Sequence, residues 1–152
     1  MLKEKFIDQP NLFYIQNKFG SVEINLKFKV FFPKGLIGFS DSKNFCFSRS
    51  TKNNYKHFKL LQSLDNEQLC FLTLPILLKN KFIKDEDLNN AIKNLELSKS
   101  NIAIVLLCST KEIDGKLKLV VNSRAPVFID IVTQSAFQYV LHNSNYSLTH
   151  LL

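Results

Sequence analysis

Three histidines, three cysteines and thirteen carboxylates are the side chains of this sequence that could do acid–base, nucleophilic or metal chemistry. Such chemistry needs them to converge. His57, His142 and His150 form neither His-x-His nor His-Glu-x-x-His, spacings that would turn two imidazoles toward one zinc ion. Serine is common, yet no Gly-x-Ser-x-Gly marks a nucleophile elbow. Cys46, Cys70 and Cys108 stand far apart in apolar segments, without a Cys-x-x-Cys. An odd count and no secretion signal argue against a disulfide framework, so they read as small buried hydrophobes. Asp85, Glu86 and Asp87 cluster at the start of a predicted helix, where the helix dipole accounts for them. Asp130 sits in Phe128-Ile129-Asp130-Ile131 and, by the two-residue strand period, points to solvent. The chain is expected not to be an enzyme, and to need neither cofactor nor metal.

Uncharged polar groups in apolar surroundings carry more information. Gln62 follows two leucines, and Gln138 lies within Ala136-Phe137-Gln138-Tyr139-Val140. A buried amide must find hydrogen-bond partners or cost stability. Both read as cross-links between strands, or as groups that reach a partner's backbone at a rim. In Asn122-Ser123-Arg124-Ala125-Pro126 the proline lacks the N–H a central strand needs, which marks an edge or a strand start. Unpaired backbone is expected just before it, beside Arg124, one of only two arginines. That combination is either a strained strand connection or a place for another chain to dock.

The elements that position these residues are short. Segments rich in Val, Ile, Phe and Leu alternate with Asn/Ser/Lys clusters, the pattern of many strands. The expected strands are Gly20–Asn25, Lys27–Phe32, Asn44–Ser48, Phe58–Ser63, Gln68–Leu74, Asn101–Ser109, Leu117–Asn122, Val127–Ile131 and Ala136–Leu141. Alternation through Leu26–Phe31 predicts one buried and one wet face. The all-apolar run from Ile102 to Leu107 predicts a strand covered on both faces. Asp114-Gly115 is a hairpin turn, and Thr133-Gln134-Ser135 a second. One helix is expected over Asp85–Leu95, with Leu88, Ala91, Ile92 and Leu95 as its apolar stripe against the barrel wall or one end. Arg49–Lys56 is polar, basic and without period, an exposed loop. The sum is a mainly β protein: one domain over residues 1–152, a small antiparallel β-barrel with one short α-helix.

Composition narrows the class. With 152 residues, 45% hydrophobic and 22% charged, the chain can bury a real core. Met1–Asp8 has no apolar signal-peptide core, and the longest apolar run is far short of the ~20 residues that span a bilayer. A cytoplasmic protein without a membrane partner is expected. The net charge of +7 resembles a nucleic-acid signature. Only Arg49 and Arg124 among the 20 basic residues are arginine, however, so specific base reading is not expected. The joint excess of Lys, Asn, Ile and Phe fits an AT-rich genome. The 14 phenylalanines are expected mostly in the core, with one of Phe31 and Phe32 turned away from it, either exposed or covered by the helix.

Phe31-Phe32-Pro33-Lys34-Gly35-Leu36-Ile37-Gly38-Phe39 is a turn with its flanks pinned in a core. It has no third glycine, Gly-Lys-Ser/Thr or following helix, so it is no phosphate loop. Phe19-Gly20, this turn, Leu60-Leu61-Gln62-Ser63, Asn122-Ser123-Arg124-Ala125-Pro126, Gln138 and Tyr146 occur in that order. From about Tyr14 to His150 the set resembles the flagellar assembly factor FliW family. That family has a Phe-Gly, a Phe-Pro-x-Gly-Leu-x-Gly-Phe, a Leu-Gln-Ser, an Asn-x-x-Ala-Pro, then a Gln and a C-terminal Tyr. The resemblance implies a binding protein with two exclusive or negatively coupled partners. These are newly made flagellin and the RNA-binding translational regulator CsrA, whose repression of flagellin translation it relieves. Asn122, Arg124 and Gln138 are the expected partner-binding residues, with Tyr146 near the rim. The chain departs from the family at Leu74-Pro75, where an acid is expected, at Ser123, where Leu is expected, and in its basic charge. A basic barrel that binds single-stranded RNA is the alternative function.

Overall fold

The computed structural model describes residues 12–49 and 57–152. Met1–Asp8 and residues 50–56 of the expected exposed loop lie outside the described residues. Eleven strands are present among those described: β1 Leu12–Asn17, β2 Gly20–Asn25, β3 Lys29–Phe31, β4 Asn44–Arg49, β5 Lys59–Ser63, β6 Cys70–Ile76, β7 Ile102–Ile113, β8 Lys116–Val121, β9 Val127–Asp130, β10 Ser135–Gln138 and β11 His150–Leu151. Among the described residues the single α-helix, α1, spans Asp85–Asn94. β1 and β2 form their own hairpin. The others form one sheet in the order β11-β8-β7-β6-β5-β4-β3-β10-β9, and β9 also pairs with β7. That last pairing closes a ring of seven strands, the mainly β architecture with one helix expected above. One correction is that the ring is not wholly antiparallel. β10 meets β3 in parallel at Ser135↔Phe31, because the chain reaches β10 by a tight turn from β9 rather than a hairpin from β3.

The sheet buries a separate cluster on each face. β7 shows the alternation: Ile104, Leu106 and Cys108 join Leu60, Leu72 and Phe128 on one side. Val105 joins Phe32, Phe45, Leu61 and Ile129 on the other. Both faces are thus covered from Ile104 to Leu107, as the unbroken apolar run predicts, while Ala103 near its start is exposed. α1 lays Leu88, Ala91 and Ile92 into the first cluster beside Ile15, Val22 and Ile24 of the β1–β2 hairpin. Each large side chain buried there contributes about 1.5–3 kcal/mol. The helix ends in a Schellman arrangement: Leu97 N–H reaches Ile92 C=O at 3.0 Å and Glu96 N–H reaches Lys93 C=O at 3.0 Å. Glu96 takes the left-handed position at φ 57°.

Several boundaries move. Leu26–Phe28 is a 3₁₀ turn, not strand, because Asn25 Oδ1 accepts the Lys27 amide and bends the chain there. Phe28 is exposed as a result, and the alternation read through Leu26–Phe31 holds only at Val30 and its neighbours. β1 and β11 were not expected. β1 has exposed apolar residues at Leu12, Phe13 and Tyr14, and β11 is two residues whose strand form comes from pairing with β8. β6 runs through Pro75, which lies beyond the last β5 pair at Lys59↔Thr73 and so owes no ladder hydrogen bond. β7 continues to Ile113, past the expected end at Ser109, and β10 stops at Gln138. Asp114 (φ 53°) and Gly115 (φ 77°) form the predicted hairpin turn.

The turn after β3 is half as predicted. Phe32 and Leu36 are buried, but Ile37 and Phe39 are 59% and 43% exposed. The phenylalanines are less uniformly core than expected: Phe32, Phe45 and Phe128 are fully buried, whereas Phe13, Phe28, Phe31 and Phe39 are exposed. Phe31 and Phe32 do divide, one out and one in.

Candidate functional site

The crossing from β8 to β9, residues 122–126, is held at nearly every backbone group. Asn122 Oδ1 accepts the amides of Arg124 (3.1 Å) and Ala125 (2.9 Å), a local turn that places Pro126 at the start of β9. The amides of Ser123 and Arg124 both donate to Ser147 C=O, at 2.9 and 3.3 Å. Ser123 Oγ, fully buried, donates to the same carbonyl. Arg124 C=O accepts from Leu141 N–H at 2.8 Å, and Pro126 C=O accepts from Tyr139 N–H at 3.0 Å. The expected unpaired backbone before Pro126 is therefore corrected. The Asn122 side chain, close by in the chain, and the C-terminal segment, which lies far from these groups in sequence and shows no strand pattern, occupy them.

Gln138 joins this crossing to the turn after β3. Its Nε2 donates to Ala125 C=O at 3.2 Å, and its Oε1 accepts the Ile37 amide at 2.8 Å. Tyr146, one residue before Ser147, reaches the other way. Its hydroxyl donates to Asp87 Oδ2 and accepts the Lys84 amide at 3.1 Å. Burial first, then the Asp87 hydrogen bond, push its phenol above the ordinary range. At the far end of α1, Asn94 Nδ2 donates to Tyr139 hydroxyl at 2.8 Å. The C-terminal segment thus grips both ends of the helix.

Three of the four expected binding residues, Asn122, Arg124 and Gln138, share this crossing. Tyr146 joins it through Ser147. Arg124 is half-buried, and among the described residues its guanidinium takes no hydrogen bond or ion pair. The positive charge is free at the surface of a segment held by hydrogen bonds at nearly every backbone group. Nothing in the sequence assigns a role to Tyr139 or Ser147, and Ser123 stands out there only as a departure from the family. Only the tertiary pairing distinguishes them from the many other polar residues.

Elsewhere the polar residues are structural. Gln62 is fully buried, accepts from Asn17 Nδ2 and donates to the carbonyls of Ser63 (3.0 Å), Glu67 (3.0 Å) and Leu69 (3.3 Å). It ties the β1–β2 turn to the β5–β6 turn and does not reach outward. Asp130 Oδ1 accepts the amides of Val132 and Thr133, which turns β9 into β10, and these bonds hold its carboxyl below the usual range. The cysteines are buried and free, and burial raises their thiols to about 11 at Cys46 and Cys70 and about 12 at Cys108. Neutral thiols there are poor nucleophiles. Among the described residues no three His, Cys, Asp or Glu side chains could hold a metal ion. A cavity of about 750 Å³, lined by Phe28, Phe47, Val105, Ile129 and Ile131 with Arg49 and Lys59 at its rim, is apolar rather than acid–base in character. Among the described residues no helix is long and apolar enough to cross a membrane.

Comparison with known proteins agrees with this fold. The family model described as FliW protein matches residues 14–152. The chain is 33% identical over 140 residues to the flagellar assembly factor FliW of Bacillus pumilus (strain SAFR-032), covering 91% of this chain and 94% of that one. It is 31% identical over 137 residues to the same factor of Natranaerobius thermophilus, covering 88% and 87%. A crystal structure of the flagellar assembly factor FliW superposes with a TM-score of 0.67 at 23% identity, covering 91% of this chain and 96% of that one. With a family match over nearly the whole described length, this chain belongs to the FliW family.

Proposed function

We propose that this chain is a single-domain flagellar assembly factor of the cytoplasm that binds two polypeptides in turn. One is newly made flagellin; the other is the RNA-binding translational regulator CsrA. Holding CsrA relieves its repression of flagellin translation, and flagellin competes for the same protein. The observation that carries the reading is the family match over residues 14–152. The crossing at residues 122–126 supports it, because a preorganised segment with a free guanidinium loses little entropy when a partner docks. Arg124, Asn122, Gln138 and Tyr146 are the contact residues of this reading, and it includes no catalytic step.

Purified chain, flagellin and CsrA test it by pull-down and calorimetry. Binding of both proteins, each displacing the other, is the expected result. Arg124→Ala weakens one of the two complexes by about tenfold, the scale of a charged interface residue. Binding of neither protein overturns the reading.

A further inference from the structure

We propose that the free edge of β7, from Ser109 to Ile113, receives an extended segment of a partner polypeptide in which acidic and apolar residues alternate. The proposal concerns the hairpin-turn end of β7 and β8, whereas the 122–126 crossing follows the other end of β8, and it does not rest on the identity of that site's partners.

β7 is longer than β6, the one strand on that edge among the described residues. β6 pairs with it only from Ile104 to Cys108. From Cys108 to Ile113 it pairs with β8 on the opposite edge. The pair flanking a two-residue hairpin turn, Ile113↔Lys116, exchanges both hydrogen bonds, and such pairs then alternate along the ladder. Ser109 and Lys111 therefore bond to β8. The Asn122 N–H to Leu107 C=O bond at 2.9 Å has the same phase. Thr110 and Glu112 consequently aim N–H and C=O away from β8. Among the described residues nothing accepts or donates there. A row of unpaired groups is a template for an added strand.

The ground beside this edge is shaped for one. A groove of about 560 Å³ runs between it and the start of β6, lined by Phe19, Phe39, Phe71, Leu119 and Thr110, with Lys18 at its rim. Charge then selects the occupant. Lys111 faces Lys118 directly across the β7–β8 ladder, and Lys116 lies on the same face two residues away. All three are exposed, and none forms an ion pair among the described residues. Like charges directly opposite destabilise a sheet. An acidic residue on a strand added beside Lys111 converts that repulsion into attraction, and its neighbours in the same strand face Thr110 and Leu119 on the apolar side.

Two other occupants fit worse. A second copy would bring lysines against lysines on a chain of net charge +7. A nucleic acid supplies phosphates but not the alternating donors and acceptors that a strand edge needs, and no arginine lies on this hairpin.

The test uses the full chain, isotope-labelled, and a capped eight-residue peptide alternating Glu and Val. Hydrogen exchange followed by NMR should show slowed exchange at the outward amides of Thr110 and Glu112, with little change at Ser109 and Lys111. A Lys–Val peptide should bind at least tenfold more weakly. Thr110→Pro removes an outward N–H without touching the β8 ladder and should weaken binding roughly tenfold. Lys111→Glu should weaken it about fivefold and favour the Lys–Val peptide. The second variant decides the matter should the proline variant fail to fold. Unchanged exchange with the peptide, equal affinity for the two peptides, displacement by a single-stranded oligonucleotide, or protection that grows with protein concentration alone would each overturn the proposal.

Discussion

Ile37 donates its amide to Gln138 Oε1 at 2.8 Å, across a sequence separation of 101 residues. With the Gln138 Nε2 bond to Ala125 C=O, one side chain holds the turn after β3 against the β8–β9 crossing. Gln138→Leu keeps the volume and leaves both backbone groups without their partner. The expected loss is about 1–3 kcal/mol, read from the midpoint of urea unfolding. A change below a few tenths would show that water replaces the amide without cost.

Tyr146 couples the C-terminal segment to the first turn of α1 through Asp87 and Lys84. Its phenol is held above the ordinary value of 10.0, so the fold favours the neutral form. This stability is complete below pH 10 and is lost as the pH rises through the higher folded-state value. Tyr146→Phe should cost about 1–2 kcal/mol at neutral pH. Melting curves of the two proteins should converge as the pH is raised above 10; a constant gap would contradict the coupling.

Gly35 and Gly38 both have positive φ, 64° and 87°, but only Gly35 is crowded. A Cβ there would meet Ser40 Cα at 2.7 Å and Phe39 C=O at 2.8 Å, whereas at Gly38 it meets nothing within 4 Å. Gly38→Ala should cost about 1 kcal/mol of backbone strain, and Gly35→Ala about 3 kcal/mol, strain and clash together. Equal melting temperatures for the two variants would refute this difference.

Glu96 occupies the left-handed residue of the α1 Schellman motif, a position that suits glycine. Glu96→Gly should stabilise the protein by about 0.5–1 kcal/mol, seen as a higher Tm, with α1 content unchanged by circular dichroism. A lower Tm would mean that the Glu96 side chain contributes more than its backbone costs.

Element type was legible wherever periodicity was strong. The α1 stripe, the run from Ile102 to Leu107, the Asp114-Gly115 turn and the split between Phe31 and Phe32 all follow from local pattern and sterics. The misreadings share one cause. Leu26–Phe28 alternates like a strand, but the Asn25 side chain and the contacts of Gln134 Nε2 with Lys27 and Lys29 C=O, at 3.0 and 2.7 Å, hold it otherwise. β11 has no strand pattern of its own and exists because β8 offers it an edge. The crossing before Pro126 read as unpaired because Ser147, its acceptor, is 24 residues downstream of Ser123.

By itself the chain's order of glycines, prolines and amides determined the family resemblance, and its apolar periodicity the mainly β class, since these depend on residue type and short-range geometry. Tertiary structure alone decided which backbone groups are filled and which are left open. Hydrogen bonds from distant segments fill most of the remaining backbone groups of residues 122–126 yet leave Thr110 and Glu112 facing outward, because pairing depends on where a neighbouring strand happens to stop.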